Sequence, residues 1–123
     1  MQNNLELTVL RHILTDEDYM RKVLPFIRPD YFNGVYRSLF KEAGKFVAKY
    51  NKLPNHESFK VEIDDSNSFS DEQYKQVVEL LPDLFLKEKV DSKWLHDVTE
   101  KWCQDRALHN AIMESISIIE GKH

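Results

Sequence analysis

Residues 91–120 constrain the fold of this chain more than any other stretch. They contain neither proline nor glycine, and Gly121 follows directly. Asp91 and Ser92 have short polar side chains that can accept the unpaired N–H groups of a first helical turn, while glycine is the favoured residue just past a helix end. The stretch therefore predicts one long helix.

The apolar pattern changes partway along this helix. Leu95, Val98 and Trp102 follow the 3/4 spacing of one helical face, but the same line continues with Asp105, Arg106 and His109. A second apolar set begins on a rotated face, and we call it the apolar row: Ala107, Leu108, Ala111, Ile112, Ile116 and Ile119. Ile118 widens this set further. The pattern indicates that different partners cover the two halves of the helix.

The free energy of burial supports docking of the apolar row but does not identify its partner. A separate helix shorter than ~12–15 residues is marginal in water, and each fully buried Ile or Leu contributes roughly 1.5–3 kcal/mol. The row can therefore be stabilised by docking. Spacing alone leaves two alternatives open: both halves pack in one monomeric core, or the second half packs on another chain.

The rest of the chain predicts an all-α fold of shorter helices. Asn3 or Asn4 and then Asp16 can cap the first two, and Ser70 with Gln73 forms a capping box for the fifth. We expect Phe26 and Ile27 to anchor a turn between Pro25 and Pro29, and Pro82 to stop or kink the fifth helix. Among the expected inward-facing side chains are Phe59, Ile63, Val77, Val78, Leu81, Leu39, Phe46 and Tyr50.

Length and composition fit a single domain of 123 residues, of which 41% are hydrophobic. No apolar run approaches the ~18 residues of a transmembrane helix, and the first residues lack the basic and apolar regions of a secretory signal. The lone Cys103 is typical of a reducing compartment.

The net charge of −4 is unevenly distributed. Residues 1–60 carry ten Lys/Arg against seven Asp/Glu, and residues 61–123 carry seven against fourteen. An acidic total argues against binding phosphate backbones unaided, so the polarity favours charge-complementary contacts with proteins.

A basic row recurs every four residues along the third helix: Arg37, Lys41, Lys45 and Lys49. It is either a solvated face or a contact surface for nucleic acid or an acidic protein patch. No aromatic residue stands along it to stack on bases, which weakens the single-strand alternative.

The sequence predicts no catalytic, cofactor or metal site. It lacks a G-x-x-x-x-G-K-[ST] loop, its histidines (His12, His56, His96, His109 and His123) have no zinc-site spacing, and Cys103 has no nucleophile signature around it. Function is therefore expected to lie in surfaces.

Several segments, in order, resemble the N-terminal domain of DnaB-type replicative helicases. They are residues 5–16 (LELTVLRHILTD), 23–25 (VLP), 30–32 (DYF), 35–40 (VYRSLF) and 51–54 (NKLP). The likeness is strongest to the helicases of T-even-like bacteriophages, through residues 94–95 (WL), 99–101 (TEK), 104–107 (QDRA) and 110–112 (NAI). It runs over nearly the whole chain.

The resemblance implies a compact helical head, residues 1–90, and a long helix, residues 91–123, that completes the head and extends as the first arm of a helical hairpin from Arg106 to Glu120. In this family hairpins pair between subunits, and heads and hairpins form a trimer-of-dimers collar on a hexameric ring in the cytoplasm, here that of the bacterial host. The collar is the docking platform for primase, with a helicase loader as a further partner. ATP, Mg²⁺ and single-stranded DNA belong to a separate motor domain, so the chain is expected to be a non-catalytic part of a longer helicase.

This reading assigns the apolar row to subunit packing, and Asp105 and Arg106 to polar anchoring where head and arm meet, although a local ion pair serves equally well. The basic row is a surface that can face a partner. Two alternatives remain: a free-standing helical adaptor that binds another protein through the same arm, and a nucleic-acid-binding module that uses the basic row.

Overall fold

A computed structural model of the protein describes residues 4–121. No strand occurs in these residues, and the predicted all-α fold is confirmed. A single 3-10 turn, Pro29–Tyr31, lies between the second and third helices. The α-helices are α1 (Leu5–Thr15), α2 (Glu17–Val23), α3 (Gly34–Tyr50), α4 (His56–Asp65), α5 (Asp71–Leu84) and α6 (Ser92–Ile119).

The chain divides into two compact units, residues 1–88 and residues 89–123. The first unit contains α1 to α5, and the second contains α6. The separate roles expected for a head and an arm stay a prediction.

Local capping explains where most helices begin. The Asn4 side chain accepts from Leu7 N at 3.2 Å, and Asp16 accepts from Tyr19 N at 3.1 Å. At α5 the predicted capping box is confirmed, because Ser70 Oγ accepts from Gln73 N at 3.1 Å and Gln73 Oε1 accepts from Ser70 N at 3.4 Å. Such caps satisfy N–H groups that have no partner within the helix.

The first unit has a continuous apolar core. Helix α1 packs against α2, α3 and α5, while α4 and α5 pack against each other and against α3. Its fully buried large side chains come from most of these elements: Leu10, Ile13, Met20, Phe32, Leu39, Phe59, Ile63, Leu81 and Leu84. Burial of such side chains is the main favourable contribution to folding.

Polar contacts fix the outer helices on this core. Arg11 donates from Nε to the Asp83 carbonyl at 2.7 Å and pairs through Nη1 with Glu88 at 3.1 Å. Ser66 donates its hydroxyl to the buried Glu42 carboxylate, which also pairs with Lys45 at 3.0 Å. These contacts set the positions of α3 and α5.

Three expected inward positions are wrong. Phe26 is 71% exposed although its neighbour Ile27 is buried, since the turn directs adjacent side chains to opposite sides. Tyr50, the last residue of α3, is exposed and places its ring 4.7 Å from that of Phe46, on the rim of the core. Val78 is also exposed, because α5 buries only the narrower line of Val77, Leu81 and Leu84.

Pro82 neither stops nor breaks α5, which continues to Leu84. A proline removes the bond from its own N–H to the carbonyl four residues earlier. That carbonyl belongs to Val78, an exposed residue, where water can take the place of the lost donor. Proximity to the helix end keeps the cost small.

Candidate interaction surfaces

The first half of α6 has a buried face. Leu95 and Trp102 are buried as predicted, and Thr99 is buried between them with its hydroxyl donating to the Leu95 carbonyl at 2.7 Å. This bond satisfies a polar side chain that sequence spacing did not place on the apolar face. At the start of the helix, the Asp91 carboxylate accepts from Trp94 N at 2.8 Å, so the predicted cap is confirmed.

The second half of α6 exposes its apolar side chains instead. Leu108 is 62% exposed, Ile112 49%, Ile116 42% and Ile119 83%. Ala107 and Ala111, which widen the row, are exposed as well. Single exposed apolar side chains are common on protein surfaces, but a contiguous row is typical of an interaction site. The exposure leaves the row available to a partner, and its role in subunit packing stays a prediction.

Two further apolar side chains lie beside the row: Ile118, which the sequence indicated as widening it, and Met113, which was not predicted. Met113 is 51% exposed and Ile118 is 58% exposed. They lie on either flank of the row, at helical positions about 100–120° from Ile112. The apolar surface therefore extends beyond the predicted set on the side of Met113.

The residues assigned to the head–arm junction lie between these halves. Asp105 pairs with Lys101, one turn earlier, at 3.3 Å. This is the local alternative that the sequence left open for Asp105. Arg106 is half-buried on the helical line that carries Trp102, and its role in anchoring the arm stays a prediction.

The basic row lies on the exposed side of α3. All four of its side chains are exposed, and they differ in their contacts. Arg37 donates to the Phe32 carbonyl at 3.1 Å, Lys45 pairs with Glu42, and Lys49 lies 5.3 Å from the centre of the Tyr50 ring. Lys41 extends from the middle of the row. The row is a continuous cationic strip, and its partner stays a prediction.

Sequence reasoning missed a second charged strip, on α5. Glu72, Glu79 and Asp83 are exposed at spacings of seven and four residues, which place them on one side of the helix; we call them the acidic row. The signal in the sequence is the excess of Asp and Glu over Lys and Arg in residues 61–123.

Three further properties of the described residues concern metal binding, thiol reactivity and membrane insertion. Among residues 4–121, no group of three or more His, Cys, Asp or Glu side chains is arranged to hold a metal ion. Cys103 is half-buried, and this burial raises the pKa of its thiol, which disfavours the reactive thiolate. Within the same residues, no helix is both long and apolar enough to cross a membrane.

The fold and the exposed surfaces thus define an all-α domain that presents an apolar helical segment and two charged rows. No protein-family profile matches the chain. It is similar to a DnaB-like replicative helicase of Enterobacteria phage T4, with 32% identity over 111 residues, which are 89% of this chain and 23% of the helicase. The resemblance to phage replicative helicases is therefore confirmed, and the chain is a domain related to them, spanning about a quarter of the length of that relative.

Proposed function

We propose that this chain is the N-terminal collar domain of a phage replicative DNA helicase, and that it joins subunits through the apolar row of α6. The observation that carries the proposal is the exposure of Leu108, Ile112, Ile116 and Ile119 along one side of a helix whose first half has a buried face. The relationship to a phage replicative helicase, together with the resemblance to DnaB-type N-terminal domains, supports assembly of copies of one chain as the use of this surface.

Exposure of the apolar row to water is unfavourable in free energy. Burial of apolar surface contributes roughly 25 cal/mol per Å², and two such rows facing each other remove both from solvent at once. Ala107 and Ala111 have small side chains at one edge of the row, so a second helix can approach closely there. A symmetric pair of arms is therefore a favourable arrangement.

We further propose that the assembled domain serves as a docking platform for primase, with a helicase loader as a second partner. The proposal rests on the resemblance to DnaB-type N-terminal domains and assigns no residue to either contact. ATP hydrolysis and DNA translocation are proposed for a motor domain of the longer parent protein, which makes this domain non-catalytic.

The test is the double variant Ile112→Asp plus Ile116→Asp. Both side chains are about half exposed, so the change should leave the fold intact. Loss of their burial and the desolvation of two carboxylates should weaken self-association on the order of a hundredfold. Analytical ultracentrifugation over a concentration series measures this change, with circular dichroism as the check on folding.

The matched control is Val61→Asp plus Val78→Asp. These valines are 51% and 44% exposed on α4 and α5, so the control makes the same chemical change outside α6. We expect it to associate like the wild type. Equal association of the two double variants, or an unchanged oligomer for the α6 variant, would contradict the proposal.

A further inference from the structure

Two helices of the first unit carry opposite charge that the proposed function does not use. Helix α3 has four cationic side chains against one carboxylate, the buried Glu42, and therefore a net charge of +3. Helix α5 has Asp71, Glu72, Glu79 and Asp83 against Lys75, and therefore a net charge of −3. The net charges of the two helices are equal in magnitude and opposite in sign.

The geometry of the rows is also matched. The basic row runs from residue 37 to residue 49, about 18 Å at the helical rise of 1.5 Å per residue. The acidic row runs from residue 72 to residue 83, about 16 Å on the same scale. Every member of both rows is exposed. Two helices laid side by side can therefore bring most of these charges into register.

The surface around the basic row is open to a second helix. Gly44 and Ala48 lie on the same side of α3 as Arg37 and Lys41, and a Cβ built on Gly44 would meet nothing within 4 Å. Small residues between the cations let another helix approach without steric hindrance. The long side chains of Lys41 and Lys45 can then reach across to carboxylates.

The chain does not bring the two rows together within itself. Of the ion pairs in residues 4–121, none joins α3 to α5; Lys45 pairs locally with Glu42. The complement of each row is present on every other copy of the chain. We propose that the basic row of one copy binds the acidic row of a second copy, as a contact separate from that of α6.

A second copy fits this surface better than a nucleic acid does. The whole chain is acidic, at −4, and the acidic row on the same unit would repel a phosphate backbone. The one exposed aromatic ring of α3, that of Tyr50, lies at the end of the basic row beside Lys49, so bases could stack at one position at most. Protein carboxylates at a matching spacing meet neither obstacle.

The test uses the α6 variant Ile112→Asp plus Ile116→Asp, so that its outcome does not depend on the proposed contact of the apolar row. In this background we expect weak association at low ionic strength that 0.5 M NaCl abolishes, because salt screens exposed charges. Lys41→Glu plus Lys45→Glu should weaken it at least about tenfold, and Glu72→Lys plus Glu79→Lys should do the same. Light scattering and sedimentation measure both effects.

Mixing the two reversed proteins is the decisive step. In either protein alone, the reversed helix of one copy faces a native helix of like charge on an identical copy, and the two repel. In the mixture, the reversed α3 of one protein faces the reversed α5 of the other, and the charges attract. We expect the equimolar mixture to associate and neither protein to do so alone. A reversal at Lys22 and Lys89, exposed lysines outside the row, is the control and should leave association unchanged.

A zero-length carbodiimide cross-link gives the residue assignment. In a mixture of unlabelled and ¹⁵N-labelled chains, mass spectrometry should find mixed-isotope links from Lys41 or Lys45 to Glu72 or Glu79. Failure of the mixture to associate, or mixed links that avoid both rows, would overturn the proposal. Binding of a single-stranded oligonucleotide that Lys41→Glu plus Lys45→Glu abolishes, with no rescue on mixing, would overturn it in favour of nucleic acid.

Discussion

The Asp64 carboxylate, at the end of α4, links this helix to α5. Tyr74 donates its hydroxyl to one carboxylate oxygen, and Lys60 Nζ lies 3.1 Å from the other and 3.3 Å from the Tyr74 oxygen. The hydrogen bond from Tyr74, and after it that from Lys60, lowers the pKa of Asp64 below its ordinary value of 3.8. The bond to Asp64, and after it that to Tyr74, raises the pKa of Lys60 above 10.5.

These two shifts act at opposite ends of the pH range. Asp64, with its lowered pKa, stabilises the folded state above pH 3.8, and this contribution is lost as the pH falls through the folded-state value. Lys60, with its raised pKa, stabilises below pH 10.5, and that contribution is lost as the pH rises through its folded-state value. Because the two side chains are 40% and 43% exposed, solvent screening keeps both contributions small.

Tyr74→Phe tests this cluster. Removal of the hydroxyl takes away the largest cause of the Asp64 shift, so the pKa of Asp64 should rise towards its ordinary value while the fold persists. Carboxyl-carbon NMR across an acid titration measures it, and Tyr50→Phe, at an exposed ring on α3, is the control. The same Asp64 titration in wild type and Tyr74→Phe would rule the explanation out.

Phe26 and Phe59 show what residue type alone could and could not predict. Phe59 lies four residues before Ile63, at a helical spacing, which predicted its burial, and it is fully buried. Phe26 lies in a turn, where no periodicity relates a side chain to a face. Its 71% exposure depends on the local path of the backbone after α2, which composition does not encode.

At the scale of a helix, the caps determine where each element begins. Ser70→Ala removes the acceptor for Gln73 N and should destabilise the first unit by about 1 kcal/mol. Ser70→Asn keeps a side-chain acceptor at the cap and should stay near the wild-type value. Urea denaturation followed by circular dichroism compares the three proteins. A Ser70→Asn variant as unstable as Ser70→Ala would show that the cap is not the cause.

Helix α6 was the most predictable element, since its limits follow from Asp91 and Gly121 and its change of face follows from the 3.6-residue period. What the sequence did not predict was the full width of its exposed apolar side, because Met113 lies outside the set that helical spacing defines. The acidic row of α5 was not predicted for a related reason. The exposed side of α5 follows from its buried side, the line of Val77 and Leu81.

At the scale of the whole molecule, the fold class and the relationship to phage replicative helicases could both be predicted from the sequence. Helical periodicity predicted the fold class, and the order of short segments along the chain predicted the relationship. The partners of the exposed surfaces could not be predicted in the same way. An exposed apolar row and two charged rows indicate contacts, but a partner is specified by the shape and charge of another molecule, which one chain's periodicity does not contain.

Coverage of the apolar row of α6 by a second copy is the central proposal, and isoleucine methyl NMR over a dilution series tests it most directly. The methyl signals of Ile112, Ile116 and Ile119 should shift with concentration, while those of the buried Ile13, Ile27 and Ile63 stay constant. Sedimentation of the same samples should show the matching change in mass. An oligomer that forms while the three α6 methyl signals stay unchanged, or a monomer at every concentration, would contradict the account.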